Sequence, residues 1–327
     1  MMVQNLLSEV RGRLIVLFFL GISFILSHPL ISYAAEQAAS GMTGGSSKPW
    51  WFWVIVLFVF CFVLGIIAVL AGVGGGVLFV PLVSGFFPFH LDFVRGAGLM
   101  VALAGALAAG PGLLRRNLAN LRLALPVALI ASSCAIVGAF VGLALPTRIV
   151  QICLGATIIF ISVLLATSKN VERPEVKQQD AIGLALGMSG AYWEESTREI
   201  VQWRTHRTLK GLLLFIIIGV MAGMFGLGAG WANVPVLNMV MGVPLKIAVG
   251  TSKFLLSITD TSAAWIYINQ GCVLPIIAIP SIIGLMLGSF VGVRLLAIAK
   301  PKFIRYMVIA VLMFSGIKAL LKGLGIG

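Results

Sequence analysis

Lys253 and Asp260 are the residues whose types and spacing point most directly to chemistry. They are the only charges in the apolar run from residue 247 to residue 268, and a charge inside such a run usually faces a cavity or a partner. Seven residues separate them, so on a helix they share one face about two turns apart. The pattern predicts that Lys253 attracts an anion and that Asp260 takes part in proton coupling or holds a cation. Two alternatives stay open, because Lys253 can extend along the helix to its polar end and Asp260 can cap a neighbouring helix.

Neutral hydrogen-bonding side chains lie close to these charges in the sequence. Thr251 and Ser252 directly precede Lys253, Asn233 lies upstream near the end of a glycine-rich phrase, and Asn238 follows that phrase. Hydroxyl and amide groups orient an oxyanion without adding charge, which makes these residues candidate binding groups. They serve equally well to satisfy backbone groups that a broken helix leaves free.

That glycine-rich phrase occurs twice. Gly72 to Pro81 reads GVGGGVLFVP, and Gly226 to Pro235 reads GLGAGWANVP, at a constant shift of 154 positions. Glycine in a helix costs about 1 kcal/mol relative to alanine, so each cluster predicts a break. The apolar runs that follow, 76–89 and 230–243, are too short for plain spanning helices. They predict discontinuous helices or re-entrant hairpins.

Backbone N–H groups exposed at the start of a half-helix bind anions, because the positive end of the helix dipole lies there. This argument makes the glycines of both phrases candidate binding residues, namely Gly74, Gly75, Gly76, Gly228 and Gly230. Close packing of helices is the alternative explanation for them. A dinucleotide loop is excluded, since it requires a preceding strand in a βαβ unit.

Enzyme chemistry has no support in the sequence. The four cysteines lack metal-ligand or CxxC spacing, and the three histidines are isolated from one another. No Ser-His-Asp arrangement, zinc site or carboxylate pair is recognisable. We therefore expect no catalytic residues, no metal and no cofactor.

Composition places most of the chain in a membrane. It has 327 residues, of which 60% are hydrophobic and only 10% charged, against about 25% charged residues in soluble domains. The formal net charge of +13 lies mainly between apolar runs, where basic residues set topology and contact anionic headgroups. Lipids are thus the expected partner of these charges, and nucleic acid is not.

Ten apolar runs follow Trp50, and the distribution of basic residues predicts their orientation. If all ten cross the membrane and residues 36–48 lie outside, then Arg115, Arg116 and the 168–210 connector are cytosolic, as the positive-inside bias requires. Each half then has five crossings, so the second repeat is inverted relative to the first. Lys318 and Lys322 disagree, because this arrangement puts the C-terminus outside.

The sequence divides into five segments. Residues 1–35 are a secretory signal peptide or an uncleaved anchor helix, and residues 36–50 are an extracytoplasmic linker. The two transmembrane repeats are residues 51–167 and 211–322, and the cytosolic connector between them is residues 168–210. Within the connector, Ala191–Arg204 predicts a β-hairpin.

The two glycine phrases, together with PLKIAVGTSKF after the second, resemble the TauE/SafE family of sulfite and organosulfonate exporters. The resemblance covers roughly residues 52–322, and it implies a bacterial inner-membrane transporter for small sulfur-containing anions. The first copy departs from the pattern, because Gly96-Ala97-Gly98 corresponds to Gly250-Thr251-Ser252 of the second. Polar contacts to a substrate are therefore expected mostly from the second half.

The prediction is an all-α polytopic membrane protein with two inverted repeats of about five segments and a broken or re-entrant helix in each. It is expected to export a sulfite-like anion or organosulfonate by alternating access, with proton coupling as an added expectation. A passive anion channel and an anchor subunit of a larger complex are the alternative functions. Assembly into a homo-oligomer is left open.

Overall fold

The computed structural model describes residues 50–71, 74–87, 89–115, 118–167, 174, 176, 178–194, 198–295 and 301–325. The signal or anchor segment and nearly all of the linker predicted for residues 1–50 therefore lie outside the described residues.

The described part of the chain is mainly helical. Five helices precede the connector: α1 Trp50–Ala71, α2 Gly75–Phe86, α3 Leu91–Arg115, α4 Leu121–Ala144 and α5 Thr147–Thr167. The connector contains α6 Ala181–Ala185, β1 Ser189–Glu194 and β2 Glu199–Arg204. The second half contains α7 Thr208–Phe225, α8 Gly230–Pro235 with a π-helical continuation Val236–Val240, α9 Leu245–Asn269, α10 Pro275–Leu295 and α11 Pro301–Leu324.

Local sequence explains where several helices begin and end. The Asn120 side chain accepts a hydrogen bond from the Leu123 amide and so caps α4. Helices α10 and α11 begin with proline, which has no N–H to leave unpaired in a first turn. Helix α7 ends at Gly226, whose φ of +67° is the left-handed conformation that glycine tolerates.

Six of the described helices are long and apolar enough to cross a membrane. They are α1, α3, α4, α5, α7 and α10. Helix α2, with 12 residues, is shorter. The predicted class, an all-α polytopic membrane protein, is therefore confirmed in its coarse form.

Helix bounds recur at the shift of the glycine phrases. Helices α3 and α9 each have 25 residues, and α9, α10 and α11 each begin 154 positions after α3, α4 and α5. Tight contacts recur as well. Gly65 of α1 packs against the Leu285 backbone, and Gly219 of α7 packs against the Ala131 backbone. Gly65 corresponds to Gly219, and Ala131 corresponds to Leu285, each at a shift of 154 positions. The second contact therefore repeats the first with the two halves exchanged.

Helices α3 and α9 correspond to each other in the two halves, and they pack together. Gly96 near the start of α3 contacts Cys272 just beyond the end of α9. Further along α3, Leu99 clusters with Ala263 and Ala264. Residue numbers rise on one helix as they fall on the other, so α3 and α9 run antiparallel.

Contacts between helix ends sort into two groups at opposite ends of α4. Near the end of α4, Arg95 donates to Gly142 O, and just beyond it Arg148 donates to Gly323 O at 3.0 Å. Near its start, Asn120 donates through its amide to Thr251 Oγ1 at 3.2 Å. The connector lies with the second group, because Tyr192 and Trp203 join the core cluster that includes Leu123.

The connector contains an antiparallel hairpin at the segment where one is predicted, with Tyr192 opposite Val201 and Trp193 opposite Ile200. Side chains alternate along each strand. Tyr192 and Trp203 are buried, whereas Trp193 and Ile200 are exposed. The hairpin thus packs one face on the helices and leaves the other outward.

Candidate functional site

The two glycine phrases meet in the interior. A Cβ built on Gly76 would lie 2.7 Å from Leu227 O and 3.0 Å from Gly98 O, and one on Gly230 would lie 3.8 Å from Gly74 Cα. Gly98 belongs to α3, so the contact lies against that helix. Backbones approach this closely only where no side chains intervene, which explains the glycines.

Gly228, in the second glycine phrase, packs against the buried carboxylate of Asp260. Its φ is +71°, and a Cβ there would lie 2.9 Å from Asp260 Oδ2 and 3.1 Å from Ala102 Cβ. Both the left-handed backbone and the lack of space demand glycine. Ala102 and Asp260 lie near the middle of α3 and α9, so the site is far from either end of these helices.

Asp260 is fully buried, and neither of its carboxylate oxygens has a hydrogen-bond partner among the described residues. The backbone N–H of Ala229, the residue before α8, interacts with the carboxylate electrostatically but outside hydrogen-bond geometry. Lys253 also attracts it, yet the two form no ion pair within 4.0 Å in the described structure. A buried carboxylate without close partners is costly, which makes Asp260 a candidate binding or coupling residue.

Asn233 adds a second unsatisfied group on the neighbouring helix. Its side chain is 1% exposed, and neither its Nδ2 nor its Oδ1 has a partner in the part of the chain that the structure describes. Asn233 N donates to Ala229 O at 3.1 Å, so Asn233 lies one helical turn from Ala229. The N–H of Ala229 is the group that interacts with the Asp260 carboxylate. The structure thus brings Asn233, Asp260 and the glycines of both phrases into one region.

Two further buried polar atoms in these segments have no partner among the described residues, Trp231 Nε1 and Thr259 Oγ1. The sequence pattern does not single out Thr259, although it is adjacent to Asp260, and a tryptophan at position 231 is typical of core or interfacial packing. Neither residue type is unusual in a membrane helix, so only the absence of a partner in the described structure distinguishes them.

Other predicted residues lie elsewhere. Thr251 Oγ1 accepts from the Asn120 amide, and Gly250 packs on the Leu118 backbone. This part of the GTS sequence therefore holds the loop between α3 and α4. Ser252 is buried beside Thr251, and a Cβ on Gly75 would meet the Leu285 side chain of α10 at 2.8 Å. The structure does not place Gly75 or Thr251 against Asp260.

Arg95 differs from expectation. Its sequence position predicts a residue at the outer end that draws anions or is solvated, but its side chain is only 1% exposed. Nη1 donates to Gly142 O at 3.0 Å and to Met224 O at 2.8 Å, and Nη2 pairs with Asp92. The burial arises because the ends of α4 and α7 converge on α3, which sequence spacing does not reveal.

The surroundings of Arg95 extend to α9. Its guanidinium lies 5.7 Å from the ring centroid of Tyr267, and the Tyr267 hydroxyl donates to Gly223 O at 3.1 Å. Burial raises the pKa of the Cys272 thiol, and the nearby Asp92 carboxylate raises it further. Four helices therefore meet at one buried, charged cluster. Among the described residues, no group of three His, Cys, Asp or Glu side chains forms a metal site.

Comparisons with known proteins identify a family and a similar membrane protein. A family model described as "Sulfite exporter TauE/SafE" matches residues 57–319. The chain is also similar to the probable membrane transporter protein YunE of Bacillus subtilis (strain 168), with 21% identity over 277 residues. That alignment covers 83% of this chain and 98% of the relative. No solved structure matches the chain.

Proposed function

This chain belongs to the sulfite exporter TauE/SafE family and is a multi-pass membrane transporter, and we propose that it exports a small sulfur oxyanion or organosulfonate across the bacterial inner membrane. The observation that carries the proposal is the buried Asp260 carboxylate beside the meeting point of the two glycine phrases, with neither oxygen hydrogen-bonded to any described residue. The sulfur chemistry of the cargo comes from the family description. The residues themselves support a small anion.

We further propose that the two halves are inverted repeats that alternate access to this site. The recurrence of helix bounds at 154 positions supports a duplication, and the antiparallel run of α3 and α9 supports inversion. Corresponding contacts support both duplication and inversion. Gly96 packs on Cys272 and its counterpart Gly250 packs on Leu118, which is the counterpart of Cys272. Inverted repeats with broken helices at their interface are a recurrent design of secondary transporters, and the substrate binds there.

The anion is bound by groups from both halves. Helix α2 begins at Gly75, directly after Gly74, so its free N–H groups and positive dipole end lie next to the second phrase. Lys253 supplies positive charge, and the Asn233 amide supplies a neutral donor. These groups replace part of the water shell that an oxyanion loses on entering the membrane interior.

Asp260 couples the anion to a proton. A bound anion and an ionised carboxylate repel each other, and the repulsion is large in a medium of low dielectric constant. Proton uptake by Asp260 removes that repulsion, so protonation and anion binding favour each other. Proton and anion then cross in the same direction, which the sum of their two gradients and the membrane potential decides. A passive channel does not need such a group, and the buried acid therefore favours a coupled transporter over a channel.

Flux into proteoliposomes tests the proposal. The purified chain should carry sulfite and a subset of organosulfonates faster than chloride, and a pH gradient should drive accumulation. Equal flux for all anions contradicts a specific carrier. Flux that only follows the anion gradient supports a channel, and the lack of any flux supports an anchor subunit.

A further inference from the structure

We propose that Arg95 is a clasp, by which we mean that its contacts keep the transport site closed at one end of the molecule. This clasp biases the resting protein to bind its cargo from the other end, which is the cytosolic one. The proposal rests on the transport function proposed above. Arg95 is a positioning residue in this scheme and does not touch the anion.

The clasp joins helices of both halves. Arg95 belongs to α3, and its Nη1 bonds the carbonyls of Gly142 in α4 and Met224 in α7. Tyr267 of α9 lies against the guanidinium and donates to Gly223 O and to Met224 O. Opening this end would separate these helices, so every one of these contacts resists it.

The clasp is also continuous with the second glycine phrase. Gly226 packs directly on the backbone of Arg95, and its carbonyl lies 2.6 Å from a Cβ built on Gly98. Two residues further, Gly228 packs against Asp260. A movement of the α7 end is therefore transmitted to the acid across a few residues of chain.

The corresponding junction at the opposite end is held differently. The counterpart of Arg95 at a shift of 154 positions is Val249. Among the described residues, that junction contains Gly250 packed on Leu118 and a neutral hydrogen bond from the Asn120 amide to Thr251. Hydrogen bonds from a charged donor are roughly twice as strong as neutral ones. Of these two corresponding junctions, the one fastened by Arg95 therefore opens less readily.

The distribution of basic residues assigns each end of the molecule to one side of the membrane. The positive-inside distribution of basic residues places the Asn120 end in the cytosol and the Arg95 end outside. A protein that rests closed on the outside takes its cargo from the cytosol, which is the direction of export. The asymmetry of the clasp provides a physical basis for that direction.

Thiol labelling tests the clasp. The four native cysteines are replaced by alanine, and Leu99→Cys is introduced one turn beyond Arg95, where Leu99 is fully buried. A membrane-impermeant maleimide is applied from outside to cells and from the cytosolic side to inverted vesicles. In an Arg95→Met background, labelling from outside should rise at least about ten-fold, because the closed state loses its advantage.

Arg148→Met is the matched control. Arg148 bonds the helix-end carbonyls Gly323 O and Leu324 O at the same end of the molecule, but it lies away from the glycine phrases. Its loss should change labelling less than about two-fold. Arg95→Lys keeps the charge without the planar fork and should restore part of the protection. Tyr267→Phe, which loses only its hydroxyl bonds, should give a smaller rise than Arg95→Met.

Three results would overturn the clasp: unchanged labelling in Arg95→Met, the same rise in Arg148→Met, or an equal rise from both sides of the membrane. The last would mean general loosening of the fold. Sulfite binding to the purified variants separates this proposal from the transport function. If the unmodified chain does not bind sulfite, the proposed function fails, while the labelling contrast still decides the clasp.

Discussion

At the residue scale, the molecule keeps buried polar groups that bond to nothing in the described structure. Asp260 and Asn233 each leave both polar side-chain atoms unpaired, although unpaired buried groups cost about 1–3 kcal/mol each. By contrast, Asn238 in the same helical segment donates to Val243 O at 2.9 Å. The difference between these two asparagines supports the proposal that Asn233 binds the anion and that Asn238 has a structural role.

Asp260→Asn should abolish proton-driven flux without loss of membrane insertion. The amide has nearly the shape of the carboxyl group but neither takes up nor releases a proton in this pH range. The measurement is sulfite accumulation in proteoliposomes with and without a pH gradient. If the variant accumulates sulfite as the parent protein does, Asp260 has no part in coupling.

Asn233→Leu and Asn238→Leu should behave in opposite ways. Leucine at position 233 removes unpaired polar atoms, so thermal stability should stay the same or rise, while sulfite binding weakens. Leucine at position 238 breaks a satisfied hydrogen bond and should cost about 1–3 kcal/mol of stability with binding retained. Equal loss of stability in both variants would show that Asn233 has a structural partner.

At the element scale, the glycine phrases are the places where helices are interrupted and backbones touch. Each phrase ends one apolar helix and begins a short one, and α2 and α8 start at the same interior point. The phrases are unequal, because Asn233 and Asp260, the unpaired polar residues closest to their contact among the described residues, lie on α8 and α9. This supports the proposal that the first phrase supplies backbone and shape and the second supplies the polar chemistry.

Gly76→Ala should abolish transport, whereas Gly85→Ala on the same helix should be tolerated. An added Cβ at position 76 would lie 2.7 Å from a backbone carbonyl, but at position 85 the nearest atoms are 3.7 and 3.9 Å away. Overpacking costs roughly 1–3 kcal/mol. Flux and melting temperature of both variants provide the measurement. Normal flux in Gly76→Ala would show that the two phrases separate without consequence.

At the scale of the whole molecule, contacts between helix ends form two groups at opposite ends of α4. Lys318 and Lys322, which disagree with the positive-inside bias, are engaged locally. The Lys318 ammonium lies 4.0 Å from the ring centroid of Phe86, and Lys322 donates to Ser84 O at 3.2 Å. Their charges are thus held by neighbouring groups of α2, which is compatible with the outer location that the proposed topology gives them.

Single-cysteine labelling should place Leu324→Cys outside and Trp193→Cys in the cytosol. Gly323 and Leu324 bond Arg148 at the start of α5, while the hairpin follows the other end of α5. An impermeant maleimide added to intact cells should therefore react with position 324 and not with position 193. Labelling of both positions from one side would contradict the crossing of α5.

Much of the fold follows from the sequence. The apolar runs predict the bounds of the helices in both halves to within several residues. The shift of 154 positions between the glycine phrases predicts that helix bounds of the first half recur in the second. The hairpin is predictable from its aromatic and β-branched alternation. These features depend on local periodicity and on solvent preference, which a single segment carries by itself.

Arg95 and Thr251 show where sequence reasoning stops. Arg95 is three residues from Asp92 in a segment that reads as a solvated loop end, yet it is buried by helices 47 and 129 residues away. Thr251 reads as a binding hydroxyl but bonds a loop 131 residues distant. Such contacts depend on how antiparallel helices align, and no local pattern specifies that alignment.

The sequence by itself determined that this protein spans a membrane, contains a repeated glycine phrase and carries a lysine and an aspartate inside an apolar helix, because composition and spacing express these properties directly. Only the tertiary structure decided that the two glycine phrases touch, that Asp260 lies beside Gly228 with no hydrogen-bond partner among the described residues, and that Arg95 joins four helices at one end. Each of these depends on side chains and backbones brought together by long-range packing, where steric fit and the pairing of buried polar groups are properties of several segments at once.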